Sequence, residues 1–241
     1  MDTIRIPRKQ ALMVAHRGAS RLERENSVAA FIAAGNRSYF GIETDVRKTS
    51  DGRFVIIHDK MTGRVASIDV NVEECTPEEL ASVRLFGYDG KTPRADLCLP
   101  SLADYIAVCR RYDKTAVLEL KSEFSVDELR RMCDEIEAQK YLSRVVFIAF
   151  SLENLRRLRE VRPDQPAQYL RSSTDGEAAL IELAKKHRID LDVHFDMISR
   201  KFVDACHAAG VKVNVWTVDD PDIAARVIDA GVDFVTTNRL E

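Results

Sequence analysis

No stretch of this 241-residue chain holds about 18 consecutive apolar residues, so nothing in it reads as a membrane-spanning helix. Neither sign of charge dominates. The chain has 36 lysines and arginines against 39 aspartates and glutamates, a formal net charge of −3. That balance excludes a broad basic surface of the kind that grips nucleic-acid backbones. Cysteines are few and unpaired: Cys75, Cys98, Cys109, Cys133 and Cys206 are odd in number and lack the close spacing of a metal finger. They read as reduced packing residues. There is no low-complexity linker and no internal repeat. The apolar run from Ala11 to Ala15 behind a basic N-terminus is too short for a secretory signal, so a cytoplasmic protein is expected.

What remains is the material of a large α/β domain. At 45% hydrophobic and 31% charged residues, 241 residues can bury one full core, and one domain over residues 1–241 is expected. Strand-like runs at about 11–15, 41–46, 53–58, 115–120, 145–150, 167–170, 190–195, 211–218 and 233–237 alternate with amphipathic stretches. Helix starts are marked by Asn26 before Ser27, by the Ser101/Asp104 and Ser125/Glu128 spacings, and by Asp220-Pro221. Gly35, Gly210 and Gly231 stand where left-handed caps end helices. The number of units favours a closed eight-stranded barrel with parallel staves.

Nine runs for eight staves leave one over. The six residues Arg47 to Gly52 are too few for a crossover helix, and Asp51-Gly52 is a turn signal, so 41–46 and 53–58 are expected to form a hairpin, the competing geometry being an extended return without a helix into a parallel strand. A turn centred near Asp51 brings His58 close to Thr44.

Chemistry gathers where these runs end. Glu43 and Asp45 are two apart on a strand and share a face, which is costly unless a cation or a proton lies between them. Taken alone, they could instead be an ion pair with Arg47 and Lys48. Glu119 and Lys121 share a face at the end of a later strand, where barrel sites are built. Three carboxylates make an incomplete oxygen cage for a hard divalent ion, and Arg17 and Lys121 suit phosphate oxygens. His16 and His58 follow apolar runs on either side of the acidic pair.

The set Ala15-His16-Arg17-Gly18, Glu25-Asn26, Glu43-x-Asp45, Asp51-Gly52, His58-Asp59, Leu99-Pro100-Ser101-Leu102, Glu119-x-Lys121, Phe150-Ser151 and Val215-Trp216-Thr217-Val218 resembles the glycerophosphodiester phosphodiesterase family, from about residue 12 onward. The resemblance implies a (β/α)8 TIM barrel that hydrolyses glycerophosphodiesters to glycerol 3-phosphate and an alcohol with Mg²⁺ or Ca²⁺. It implies His16 and His58 as general acid and base and Glu43, Asp45 and Glu119 as metal ligands. Arg17 and Lys121, with Glu25, would bind substrate. The chain departs from the family pattern at Arg24, where a proline is usual and a looser entry to the first helix is expected. Further departures fall in the loop around Arg64 and at Thr237-Asn238, where Thr-Asp is usual.

Phe150 and Trp216 are expected to wall the substrate pocket, and residues 60–99, which show no clear barrel unit, to form a small cap insertion after the His58-Asp59 strand. An apolar cap would admit lysophospholipids. Two other readings stay open: a phospholipase D-type or cyclising phosphodiesterase, and a catalytically silent phosphodiester-binding module. The expected partner is a small glycerophosphodiester, with no nucleic acid and no stable membrane anchor, the protein acting as monomer or homodimer.

Overall fold

The computed structural model describes residues 2–7, 10–174 and 176–241. In chain order its first elements are β1 (Leu12–Ala15), α1 (Val28–Gly35), β2 (Gly41–Lys48), β3 (Phe54–Ile56), α2 (Pro77–Leu80), β4 (Arg84–Phe86) and β5 (Pro93–Cys98). There follow α3 (Leu102–Arg111), β6 (Thr115–Leu120), α4 (Val126–Ala138), β7 (Val145–Ala149), α5 (Leu152–Val161) and β8 (Ala167–Arg171). The last are α6 (Glu177–His187), β9 (Asp190–His194), α7 (Arg200–Ala208), β10 (Val213–Trp216), α8 (Pro221–Asp229) and β11 (Phe234–Thr237). Eight strands run parallel in the order β1-β2-β6-β7-β8-β9-β10-β11, and β11 pairs back onto β1 to close the ring. A helix lies between each pair of consecutive staves, which makes this a (β/α)8 TIM barrel.

Strand alternation divides the apolar residues into two layers. Met13, Ile42, Ala116, Leu118, Phe147, Leu191, Val213 and Val235 point outward and pack under the helices, among them Leu102, Leu129, Leu155 and Phe202. Val14, Val117, Ile148 and Leu170 point inward and form a separate cluster with Phe234 and Trp216. Above that plug, at the C-terminal ends of the staves, the inward positions turn polar.

The hairpin has the expected register. β3 is antiparallel to β2, with Val46 opposite Ile56 and Lys48 opposite Phe54, and it stands outside the ring. Gly52 takes a φ of +78°, the left-handed geometry that its turn needs. Ile57 continues the contact by donating its N–H to the Asp45 carbonyl at 3.0 Å, so His58 emerges beside the acids.

Both capping boxes form, at Ser101/Asp104 and Ser125/Glu128, and the Asp220 side chain caps α8 over Pro221. Two helix signals resolve differently. Ser27, not Asn26, caps α1 by accepting from Ala30, which frees the Asn26 side chain for the barrel mouth. Gly35 lies within α1 without a positive φ; a Cβ there would fall 2.5 Å from the Tyr112 ring, so packing requires the glycine. Gly210 and Gly231 do take positive φ.

Residues 60–99 are more ordered than their sequence pattern conveys. β4 and β5 pair as an antiparallel two-stranded sheet, and α2 carries a Thr76/Glu79 capping box. Val65, Val72, Leu80, Leu85 and Leu97 join Val55 and Ile57 in a second apolar cluster. β5 was hard to read because most of its side chains are exposed, leaving no alternation. The Arg24 guanidinium donates to the carbonyls of Phe86 and Gly87 at 2.8 and 2.5 Å, fastening the loop after β1 to the β4–β5 hairpin.

Candidate active site

Glu43 and Asp45 project inward from β2, and β6 pairs with β2 so that Glu119 lies beside Asp45. All three are buried, and one oxygen from each lies within 4.8 Å of the others. Arg47 and Lys48 do not neutralise them, since they pair with Glu73 and Glu128 instead. Burial, then the charges of Asp45 and Glu119, hold the Glu43 carboxyl far above its ordinary range. Burial and then Asp45 push Glu119 up to about 7, although Lys121 opposes them. Burial also works against ionised Asp45, but Arg17, with His58 and Lys121, outweighs it and lowers that carboxyl. Asp45 Oδ1 is buried with no hydrogen-bond partner. Close, buried, hard oxygen donors with one of them unsatisfied fit a divalent cation.

Two cations flank the acids. Arg17 donates its backbone N–H to Glu43 at 2.8 Å, and its guanidinium lies 3.3 Å from Asp45 and 2.8 Å from Glu25. Lys121 Nζ donates to Glu119 at 3.0 Å and lies 3.8 Å from Asp45. It also reaches His58 Nε2 at 3.1 Å, while His58 Nδ1 bonds Asp59 at 2.7 Å. An ammonium only donates, so His58 carries its ring proton on the side of Asp59. On the opposite flank, His16 Nε2 is 4.0 Å from Glu43. Loss of hydration, then the charge of Arg17, push His16 down to about 4; burial lowers His58 too, with Arg17 and Lys121 adding to it and Asp45 and Asp59 opposing.

His16, Arg17, Glu43, His58, Glu119 and Lys121 line a cavity of about 110 Å³ whose other wall includes Ile148, Phe150, Leu170 and Trp216. It has a charged wall and an apolar one. Phe150 meets Trp216 edge to face at 5.6 Å and is half-exposed at the rim; His194 packs against the same indole at 5.5 Å. Glu25 stands behind Arg17, its oxygens taken by Arg17 and by two bonds of 2.8 Å from Arg64, which hold its carboxyl down near 2 against burial. Arg64 also contacts Asp59, so a chain of charges joins Arg17 to the partner of His58.

Four residues escaped sequence reasoning as parts of this site. Asn26, with φ +53°, donates to Asp45 Oδ2 at 2.7 Å and accepts from Thr44. Asn238 meets His16 Nδ1 at 2.9 Å, and Asp219 holds Asn238. Asp192, buried with Oδ1 unpartnered, is pushed far above its usual range by burial and then by Glu119. Asn26 lies inside a quoted motif, and Asn238 at a noted departure. Nothing in the sequence marks Asp219 or Asp192.

Residues 16–241 match the model of the glycerophosphoryl diester phosphodiesterase family. A glycerophosphodiester phosphodiesterase of Caldanaerobacter subterraneus subsp. tengcongensis is 28% identical over 240 residues, covering 96% of each chain. Among solved structures, an Oleispira antarctica phosphodiesterase in complex with the product sn-glycerol-3-phosphate superposes with a TM-score of 0.86 at 26% identity, covering 95% of this chain and 93% of that one. A Thermotoga maritima glycerophosphodiester phosphodiesterase superposes with a TM-score of 0.75 at 25% identity, covering 95% and 94%.

Proposed function

The chain belongs to the glycerophosphoryl diester phosphodiesterase family, and on that premise we propose that it hydrolyses glycerophosphodiesters to glycerol 3-phosphate and an alcohol. Glu43, Asp45 and Glu119 would hold one divalent cation, Mg²⁺ or Ca²⁺. When bound, that ion supplies neutralising charge and a lowered pKa for an attacking hydroxyl. The observation that carries the reading is the trio of buried carboxyls within 4.8 Å, one oxygen without a hydrogen-bond partner, between two imidazoles.

Arg17 and Lys121 bind the phosphate oxygens and orient phosphorus for in-line displacement. Of His16 and His58, the one that is neutral takes the proton of the attacking hydroxyl on its inner nitrogen, and the other, in its protonated imidazolium form, gives a proton to the departing alcohol. Each has a partner on its far nitrogen, Asn238 and Asp59, to hold the ring. Glu25 acts through Arg17, which it clamps, and Phe150 and Trp216 form the wall against which the organic part of the substrate lies. A cavity of about 110 Å³ is well below the roughly 300–1,000 Å³ of a drug-sized cleft. It suits a phosphate with a short polyol better than an acyl chain. Residues 60–99 serve as a cap on one barrel domain. No helix among the described residues is long and apolar enough to cross a membrane; the five cysteines are free, which suits a cytoplasmic location.

The test is release of glycerol 3-phosphate from a panel of glycerophosphodiesters and lysophospholipids with Mg²⁺, Ca²⁺ or EDTA. Metal-dependent release that EDTA abolishes is expected. Release unaffected by EDTA would overturn the metal role, binding without release would leave a silent module, and a cyclic phosphate seen by phosphorus NMR would make the enzyme a cyclising one.

A further inference from the structure

We propose that Asn238, clamped by Asp219, is a positioning residue that fixes the ring orientation and tautomer of His16, so that Nε2 faces the cavity as a proton acceptor. An asparagine amide has two unlike ends, an oxygen that accepts and a nitrogen that donates, so the partner of one end determines the other. Here that partner is Asp219. Its Oδ2 lies 2.6 Å from Asn238 Nδ2, and its Oδ1 takes the Asn238 backbone N–H at 2.8 Å and the Thr237 hydroxyl at 3.1 Å. A carboxylate offers acceptors alone, which assigns Nδ2 to Asp219 and turns Oδ1 the other way.

Oδ1 then receives the Ser20 hydroxyl at 2.7 Å and stands 2.9 Å from His16 Nδ1. Facing an oxygen, Nδ1 must carry the ring proton, and the lone pair is left on Nε2. The backbone is fastened as well, since His16 N–H donates to the Thr237 carbonyl at 2.8 Å. The loop after β10 and the end of β11 thus orient a residue at the end of β1. The inference rests on the reading of His16 as a proton-transfer group, but the tautomer itself does not depend on turnover.

The test combines long-range ¹H–¹⁵N correlation of the imidazole nitrogens with steady-state kinetics, on the full chain with Mg²⁺. With five histidines in the chain, His16 is assignable by its loss in His16→Ala. In the wild type, His16 should show a protonated Nδ1 and an unprotonated Nε2. Asp219→Asn frees the amide to turn over, and Asn238→Leu removes the acceptor. Both should mix the tautomers and lower kcat by roughly ten- to a hundredfold with KM little changed, the usual scale for losing such a partner. The exchanged pair Asn238→Asp with Asp219→Asn again offers one amide donor and a carboxylate acceptor, and should restore both the wild-type ring pattern and kcat to within about threefold, a small fraction of that loss. This rescue also separates positioning from misfolding. His16 protonated on Nε2 in the wild type, or an exchanged pair no better than Asp219→Asn alone, would overturn the proposal. A locked Nδ1–H in a protein that releases no glycerol 3-phosphate would uphold the orientation and refute the activity.

Discussion

Replacing Glu119 with glutamine should remove a pH-dependent cost that the metal-free protein carries. Burial and the neighbouring Asp45 raise the Glu119 carboxyl from 4.5 to about 7 in the folded chain. Below the unfolded value both states hold the proton and the site costs nothing. As pH rises through the window from about 4.5 to 7, the unfolded chain has already released its proton while the folded one retains it, so stability falls. The gap corresponds to on the order of 3 kcal/mol. For a chain of this size that is a fall in Tm of roughly 6–12 °C between pH 4.5 and 8. Glu119→Gln cannot ionise, so in EDTA its fall should be clearly smaller, with the similar pressure on Glu43 and Asp192 remaining. At pH 8, a cation at about a hundred times its Kd should return close to 3 kcal/mol to the wild type. The variant should gain little. Scanning calorimetry of both proteins at pH 4.5 and 8, with EDTA and with Mg²⁺ or Ca²⁺, gives all the values. Equal falls in the two proteins, or an equal gain from the cation, would refute the reasoning.

The other expectations follow from the same geometry. His16→Ala and His58→Ala should each lower kcat by roughly a hundredfold to ten-thousandfold, the usual worth of a positioned proton-transfer group, while calorimetry still finds the cation bound. Because Glu119 and Glu43, both held above the usual carboxylate range, must lose their protons to bind a metal, cation affinity should rise by at least about tenfold per pH unit from pH 5.5 to 6.5; an affinity independent of pH would count against these two carboxyls as ligands. Arg64→Ala leaves Glu25 and Asp59 without their shared cation. It should reduce kcat/KM by roughly tenfold while changing stability by less than about 1 kcal/mol, since Arg64 is half-exposed.

The barrel was legible because parallel staves need apolar runs separated by helices, and the chain supplies both. The hairpin register was legible for a more local reason: Asp51-Gly52 fixes the turn, and the turn fixes which residues of 41–46 and 53–58 meet. Glu43 and Asp45 could be placed on one face from strand period alone. Contacts made by closure of the ring could not. His16 and Asn238 are 222 positions apart, and their hydrogen bond exists only because β11 lies beside β1. The lost negative charge at Asn238 was visible in the sequence; its position behind the His16 imidazole was not. Asn26 misled for the converse reason, since asparagine is as good a helix cap as serine and tertiary structure used its amide for Asp45 instead. In β5 most side chains are exposed whatever their polarity, which erased the alternation that identifies strands.

The central claim is that three acids from two neighbouring staves hold one cation. Calorimetric titration of chelator-stripped protein with Mg²⁺ or Ca²⁺ tests it most directly, alongside a variant carrying Glu43→Gln, Asp45→Asn and Glu119→Gln. One ion per wild-type chain and none on the variant is the expected result. A wild type that binds no ion, or a variant that still binds one as tightly, would contradict it.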